Sequence, residues 1–173
     1  MVLDTYDGPS QFTVGRNATC REAPASATPD AGRAKEGQRP SNMLRMTVIN
    51  PMHLAPPRGY SHGILAQGRL LFVAGQIGWN AHAEIVGDRF VDQFDQALAN
   101  VLAVVLEAGG TAESVARLTL FVVDRSEYLD AKREIGERYR ARMGAHYPAM
   151  TLVEVRALLE PGARVEIEAT AVL

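Results

Sequence analysis

Residues Arg89 to Gly110 read RFVDQFDQALANVLAVVLEAGG, and their apolar side chains recur every three or four positions. This spacing predicts an α-helix over Arg89–Ala108 with one broad apolar face. The apolar face consists of Phe90, Phe94, Ala97, Leu98, Val101, Leu102 and Val105. Gly109 and Gly110 are typical of the residues that follow a helix C-terminus. An amphipathic helix of this kind needs a sheet or another helix to cover its apolar face.

Segments with the two-residue alternation of β-strands lie on both sides of this helix. The predicted strands are 47–49, 60–66, 70–76, 115–123, 149–158 and 164–172. Gln67 and Gly68 separate the second strand from the third and predict a tight hairpin between them. The chain therefore places three strands before the helix and three after it.

A second helix is predicted between Ser126, as its N-terminal cap, and about Met143. Its inward side chains are expected to be Leu129, Ile135 and Tyr139, and its outward ones Lys132, Arg133, Glu137 and Arg140. The resulting order is β-β-β-α-β-α-β-β, which indicates an α+β fold with both helices on one face of the sheet.

The sheet face away from the helices is predicted to be neither purely apolar nor purely polar. Its side chains are expected to include Phe72, Phe121, Met150 and Leu152, together with carboxylates and arginines. A monomer would expose a sizeable apolar patch on such a face. We therefore expect subunits to pack on this face, with a ligand site between them.

The N-terminal residues 1–45 differ from the rest of the chain. Thr19 to Asn42 is rich in Ala, Pro, Gly, Arg and Ser and has almost no large apolar residue. Such a segment cannot repay the entropy of ordering, so it is predicted to be disordered. Translation that starts at Met43 or Met46 is the alternative, which would make the tail an annotation artefact. We assign the folded domain to residues 46–173.

Charge and composition exclude several classes of function. The 18 basic and 20 acidic residues give a net charge of −2, whereas nucleic-acid surfaces normally show a basic excess. The single cysteine, Cys20, excludes an intramolecular disulfide and a four-cysteine zinc site. No apolar run approaches the ~20 residues of a membrane span, and no secretory signal precedes the domain. We expect a cytoplasmic protein that binds neither membrane nor nucleic acid.

Few residues carry an obvious chemical signature. The four histidines lack metal-ligand spacing, and no nucleophile elbow is present. Gly75 and Gly78 could let the backbone approach a ligand, although a strand end followed by a turn explains them too. Glu166 shares a strand face with Glu168 and could act as a base. The alternative is an ion pair of this glutamate with Arg117, Arg156 or Arg164.

Five segments resemble the RidA/YjgF family of reactive-intermediate deaminases in their order and spacing. They lie within residues 47–173 and read GYSHGI, LLFVAGQI, QALANVLAVVLEAGG, YPAMTLVEV and VEIEATAV. The resemblance implies a chorismate-mutase-like fold with a mixed sheet, and homotrimers with a small-molecule cleft between subunits. It also implies hydrolysis of enamine or imine acids, such as 2-aminoacrylate and 2-iminobutanoate, to 2-oxo acids and ammonia. The reaction is a C–N bond hydrolysis for which neither a metal nor an organic cofactor is expected.

The resemblance also implies which residues form the cleft. The glutamate that positions the attacking water falls on Glu166. Ala74 stands where a serine is usual in the family. The implied substrate-binding positions are Tyr60, Gly75, Gln76, Ile77, Asn100 and Met150.

Met150 is the main departure from the family pattern, because it stands where an arginine normally clamps the substrate carboxylate. Methionine offers no hydrogen-bond donor, only a soft apolar surface. Losing a charge-assisted hydrogen bond of ~1.5–3 kcal/mol weakens binding on the order of 10- to 100-fold, unless Arg58, Arg117 or Arg156 substitutes. We therefore expect a deaminase-like enzyme with a non-standard substrate. The alternatives are a non-catalytic trimer that binds a metabolite and, with less support, an RNA-directed activity.

Overall fold

The computed structural model describes residues 45–173. The predictions about the Thr19–Asn42 segment, Cys20 and Met43 lie outside the described residues. The elements, in order, are β1 (Arg45–Ile49), β2 (Gly63–Gln67), β3 (Leu70–Ile77), α1 (Phe90–Glu107), a 3-10 turn (Ala112–Ser114), β4 (Val115–Val122), α2 (Arg125–Asp130), α3 (Lys132–Met143), β5 (Ala149–Glu154) and β6 (Val165–Val172). The predicted α+β fold is confirmed.

The strands form a four-stranded sheet in the order β3-β6-β4-β5 and a separate two-stranded sheet of β1 and β2. β4 and β5 run parallel, joined by a crossover through α2 and α3, whereas the other neighbours are antiparallel. Helices α1 and α3 contact each other, and α1 packs on β3 and β6. The sheet is therefore mixed, with its helices on one face.

Helix α1 follows its sequence pattern closely. Every residue of the predicted apolar stripe is buried, and Ala97, Val101 and Val105 are fully so. Gly109 has a φ of 86°, a conformation that glycine adopts without strain. The backbone N–H groups of Gly109 and Gly110 then donate to the last carbonyls of the helix, those of Leu106 and Val105. The helix therefore ends where the paired glycines predict.

The predicted hairpin at Gln67 and Gly68 is wrong. β2 pairs with β1 and β3 pairs with β6, so the two residues join strands of different sheets. Gly68 is required for another reason, because a Cβ there would lie 2.6 Å from the carbonyl oxygen of Leu173. Arg69 N donates to the same oxygen at 2.7 Å. This glycine therefore marks a close approach to the C-terminus.

The second predicted helix is two helices, and its cap is not Ser126. The Asp124 carboxylate accepts from Ser126 N at 2.8 Å, so Asp124 is the N-cap of α2. Ala131, with φ −95° and ψ 8°, separates α2 from α3. Ile135 and Tyr139 are buried as predicted, whereas Leu129 is 47% exposed. The six-residue step from Leu129 to Ile135 turns an α-helix by about 240°, so the two side chains lie on different faces even in an unbroken helix. The inward orientation predicted for Leu129 is therefore wrong.

Two predicted strands are too long. Strand β2 begins at Gly63, because Gly59 has a φ of 78° and Ser61 forms an isolated parallel bridge with Ala149. Strand β5 ends at Glu154 rather than Leu158. The apolar alternation of the sequence shows neither the start of β2 nor the end of β5, because it extends beyond the residues that pair with a neighbouring strand.

The face predicted for Met150 and Leu152 is also wrong. In the β4–β5 register Met150 lies beside Leu118, and Leu152 beside Leu120, on the face that the helices cover. Both side chains pack against the core. Phe72 and Phe121 do lie on the open face, where Phe72 is 75% exposed. Both residue sets of β5 contain apolar side chains, so its alternation could not decide the face, and a one-residue difference inverts it.

Candidate functional site

A cavity of about 300 Å³ lies beneath Met150, between the sheet and the helices. Its floor consists of the buried side chains Phe94, Leu98, Leu118, Leu120 and Ile167. Its rim includes Gly59, Lys132 and Arg140. The size and the apolar lining with a few polar groups are those of a small-molecule site.

Two tyrosines make one wall of the cavity rigid. The rings of Tyr139 and Tyr147 stack at 5.4 Å, and Tyr139 Oη donates to the carbonyl oxygen of His146 at 2.9 Å. Burial raises the pKa of Tyr139 and that of Tyr128, which also lines the cavity. Since both phenols titrate above their ordinary range, they stay neutral at pH 7 and can offer hydrogen bonds but no negative charge.

Helix α3 brings two cations to the rim. Lys132, Gly136 and Arg140 follow one another at four-residue steps, so they share one helix face. The Arg140 guanidinium lies over Gly136, with Nη1 3.3 Å from where a Cβ would stand. Both cations are exposed, and neither forms a salt bridge within residues 45–173. A mid-helix glycine costs about 1 kcal/mol relative to alanine, and here it leaves room for the guanidinium.

Tyr60 is held at the same end of β5 as Met150. Ser61 N donates to Pro148 O at 3.0 Å, and Ser61 Oγ donates to Tyr147 O at 2.6 Å. Tyr60 is 37% exposed, and its ring meets the His62 ring edge-on at 5.5 Å. The structure therefore places Tyr60 close to the N-terminal end of β5, the strand that carries Met150.

Glu166 and Gly75 form a second cluster, on the open face. A Cβ at position 75 would lie 2.6 Å from Glu166 Cδ, so only glycine lets the carboxylate rest against the backbone there. Glu166 is half-buried and has no hydrogen-bond or salt-bridge partner for its side chain among the described residues. The alternative ion pairs do not form in this part of the chain, since Arg164 binds Glu127 instead. Glu166 is thus a carboxylate that no cation neutralises within residues 45–173.

The remaining predicted residues support β3. Asn100 Nδ2 donates to Ile77 O at 3.1 Å and to Trp79 O at 3.0 Å, and its Oδ1 accepts from Gln96. Gln76 Nε2 donates to Ala74 O at 3.1 Å. The Ile77 side chain is buried in the core. Asn100 therefore fixes the end of the strand that carries Gly75.

Within one chain the structure does not bring all the predicted residues together. Met150 lines the helix-side cavity, whereas Glu166 and Gly75 lie on the opposite face of the sheet, and Tyr60 is not part of the cavity lining. Sequence reasoning also missed the cavity roles of Lys132, Gly136 and Arg140. Their four-residue spacing could have indicated them, because it places a glycine between two cations on one helix face.

The described residues contain neither a cluster of metal-binding side chains nor a helix that could span a membrane. Across 45–173 there is no group of three or more His, Cys, Asp or Glu side chains arranged to hold a metal ion. Over the same range no helix has the length and hydropathy to cross a membrane.

Comparison with known proteins gives a consistent set of relatives. Residues 52–173 match the family model described as Endoribonuclease L-PSP. A RutC family protein of Haemophilus influenzae is 36% identical over 106 residues, which cover 61% of this chain and 80% of the relative. The 2-iminobutanoate/2-iminopropanoate deaminase of Capra hircus is 28% identical over 133 residues, covering 76% and 93%. A crystal structure from the conserved Rid protein family of Yersinia pestis has a TM-score of 0.68 at 38% identity, covering 74% and 98%.

Proposed function

Because this chain belongs to the Endoribonuclease L-PSP family, the RidA/YjgF proteins, we propose that it hydrolyses the C=N bond of a small imine or its enamine tautomer. The observation that carries the proposal is the Glu166 carboxylate, which lies against Gly75 and has no side-chain partner in the part of the chain that the structure describes. A carboxylate held without a cation keeps its capacity to accept a proton from water. The deaminase of Capra hircus, at 28% identity, supports the same reaction class.

The chemistry needs one water and one base. Glu166 accepts a proton as the water oxygen bonds to the imine carbon and returns this proton to the imine nitrogen, which gives a neutral carbinolamine. The Glu166 carboxylate then accepts the hydroxyl proton of the carbinolamine and passes it to the amino nitrogen. The C–N bond breaks, ammonia leaves, the carbon–oxygen double bond forms, and the carboxylate is regenerated.

We further propose that the site is shared between subunits of a homotrimer, with the Met150 cavity of one subunit facing Glu166 of the next. The open face carries exposed apolar side chains, with Phe72 at 75% and Val153 at 39% exposure. A patch of this kind is typical of a surface that another copy covers. Such packing would unite residues that one chain keeps on opposite faces.

Met150→Arg tests the role of this position. Wild type should turn over 2-iminobutanoate near background, because Met150 cannot bind the carboxylate. The arginine variant should gain at least about tenfold, since a charge-assisted hydrogen bond is worth ~1.5–3 kcal/mol. The imine is generated in situ by an amino-acid oxidase, and the unreacted imine is trapped with semicarbazide. Met150→Leu serves as the control, and robust wild-type turnover would contradict the argument.

A non-catalytic binding role is the second candidate, and the cavity itself favours it. An apolar space of about 300 Å³ can hold a metabolite whether or not Glu166 acts on it. In that case a ligand would bind without turnover, and Glu166→Gln would leave its affinity unchanged. RNA cleavage has less support, because the net charge of −2 gives no general attraction for phosphates.

A further inference from the structure

We propose that Lys132 and Arg140 form an anion-binding pair at the cavity rim and select a 2-imino acid with a large apolar side chain. The carboxylate would lie at the rim, and the side chain would extend inward past Met150. This inference rests on the proposed imine hydrolysis and names the substrate class of the same site.

Lys132 and Arg140 lie where they can contact a ligand at the cavity rim. Both Lys132 and Arg140 line the cavity, and both are exposed at its outer edge. Other arginines of α3 are engaged elsewhere, since Arg142 binds Asp95 and Arg133 approaches Glu137. Lys132 and Arg140 have no such partner within residues 45–173. They are therefore the cations of this helix that can neutralise a ligand carboxylate.

Gly136 leaves space for the Arg140 guanidinium beside the cavity. Because this glycine has no side chain, the guanidinium Nη1 lies 3.3 Å from where a Cβ would stand. An alanine there would require the guanidinium to shift by a few tenths of an ångström. Arginine presents its donors as a planar fork that matches a carboxylate, and lysine adds a point charge. Lys132 and Arg140 lie about one helical turn before and after Gly136.

The polarity of the cavity favours a carboxylate at the rim over one at the floor. The floor is apolar and buried, and Met150 adds a further apolar surface to the cavity lining. A carboxylate at the floor would be desolvated without a partner, which is strongly unfavourable. With the carboxylate at the rim, the adjacent imine carbon also lies at the rim, where the neighbouring subunit of the proposed trimer would supply Glu166. Only the apolar side chain then enters the floor.

The space available agrees with a larger substrate. A cavity of about 300 Å³ leaves most of its volume empty around a two-carbon side chain. Each further buried CH₂ contributes about 0.8 kcal/mol, so two more carbons correspond to about tenfold in affinity. The floor thus favours side chains of the size found in leucine or phenylalanine.

Binding of stable product acids tests the inference without requiring turnover. Isothermal titration of the full-length chain uses 4-methyl-2-oxopentanoate, its methyl ester and 2-oxobutanoate. We expect 4-methyl-2-oxopentanoate to bind about tenfold more tightly than 2-oxobutanoate. Lys132→Gln with Arg140→Gln should weaken the longer acid at least about tenfold and leave the uncharged ester unchanged. The matched control is Arg133→Gln, on the same helix and outside the cavity lining.

Equal binding of the two acids, or binding that the double substitution does not change, would overturn the inference. Turnover of the corresponding imines separates it from the proposed function. If the double substitution weakens binding of the acid but no imine is turned over, the anion-binding pair is supported and the proposed hydrolysis is contradicted. If the double substitution leaves imine turnover unchanged, the proposed hydrolysis is supported and the anion-binding pair is contradicted.

Discussion

Glu166→Gln is expected to lower the rate of imine hydrolysis by at least about 100-fold, because general-base catalysis typically contributes 10²–10⁴-fold. Glutamine keeps the size and one acceptor oxygen but cannot take a proton from water. The side chain should still fit beside Gly75, where no cation of residues 45–173 pairs with the carboxylate. Thermal unfolding should therefore change little while turnover falls.

Glu168→Gln is the matched control for this substitution. Glu168 lies on the same strand face as Glu166 two residues on, and it is exposed. We expect that variant to retain near wild-type turnover of the substrate that the wild type hydrolyses best. If Glu166→Gln were as active as Glu168→Gln, the carboxylate would have no role in the chemistry.

Gln93→Leu should destabilise the fold by about 2–4 kcal/mol, since it removes three hydrogen bonds of ~0.5–1.5 kcal/mol each. The Gln93 amide is 1% exposed and connects two loops to α1. Its Nε2 donates to Gly87 O at 3.1 Å and to Gly162 O at 3.0 Å, and its Oε1 accepts from Arg164 N at 2.8 Å. Leucine has a similar volume but none of these bonds.

Gln96→Leu provides the comparison on the same helix. Among the described residues the Gln96 side chain makes one hydrogen bond, to Asn100 at 2.8 Å, so its loss should cost about 1 kcal/mol. Urea unfolding curves of both variants, taken with the wild-type slope, give the two differences in unfolding free energy. Equal effects would mean that the three bonds of Gln93 do not hold the loops.

Local patterns predicted the parts of the fold that depend on nearby residues. The period of α1 gave its buried face and its end at Gly109, because both follow from contacts within a few residues along the chain. The hairpin at Gly68 failed because the same glycine serves a contact with Leu173, more than one hundred residues away in sequence. No local pattern distinguishes a turn glycine from one that another strand approaches.

The candidate site shows the same division between local and distant information. The contact of Glu166 with Gly75 joins two segments that only the resemblance had linked. The side of the sheet that Met150 faces depends on its register with Leu118, which a mixed alternation could not supply. Register is set by pairing between strands, so it becomes visible only when the partner strand is known.

Subunit mixing tests the shared site most directly. Glu166→Gln removes the base, and Met150→Trp places a bulky ring in the cavity, so each variant trimer alone should be inactive. In an equal mixture, unfolded and refolded together, a cleft is intact when the first variant supplies the cavity and the second supplies the glutamate. Each choice has an even chance, so about one quarter of the wild-type activity should return in a cyclic trimer. Activity that stays at the level of the separate variants, although mass spectrometry detects mixed trimers, would contradict a site built from two subunits.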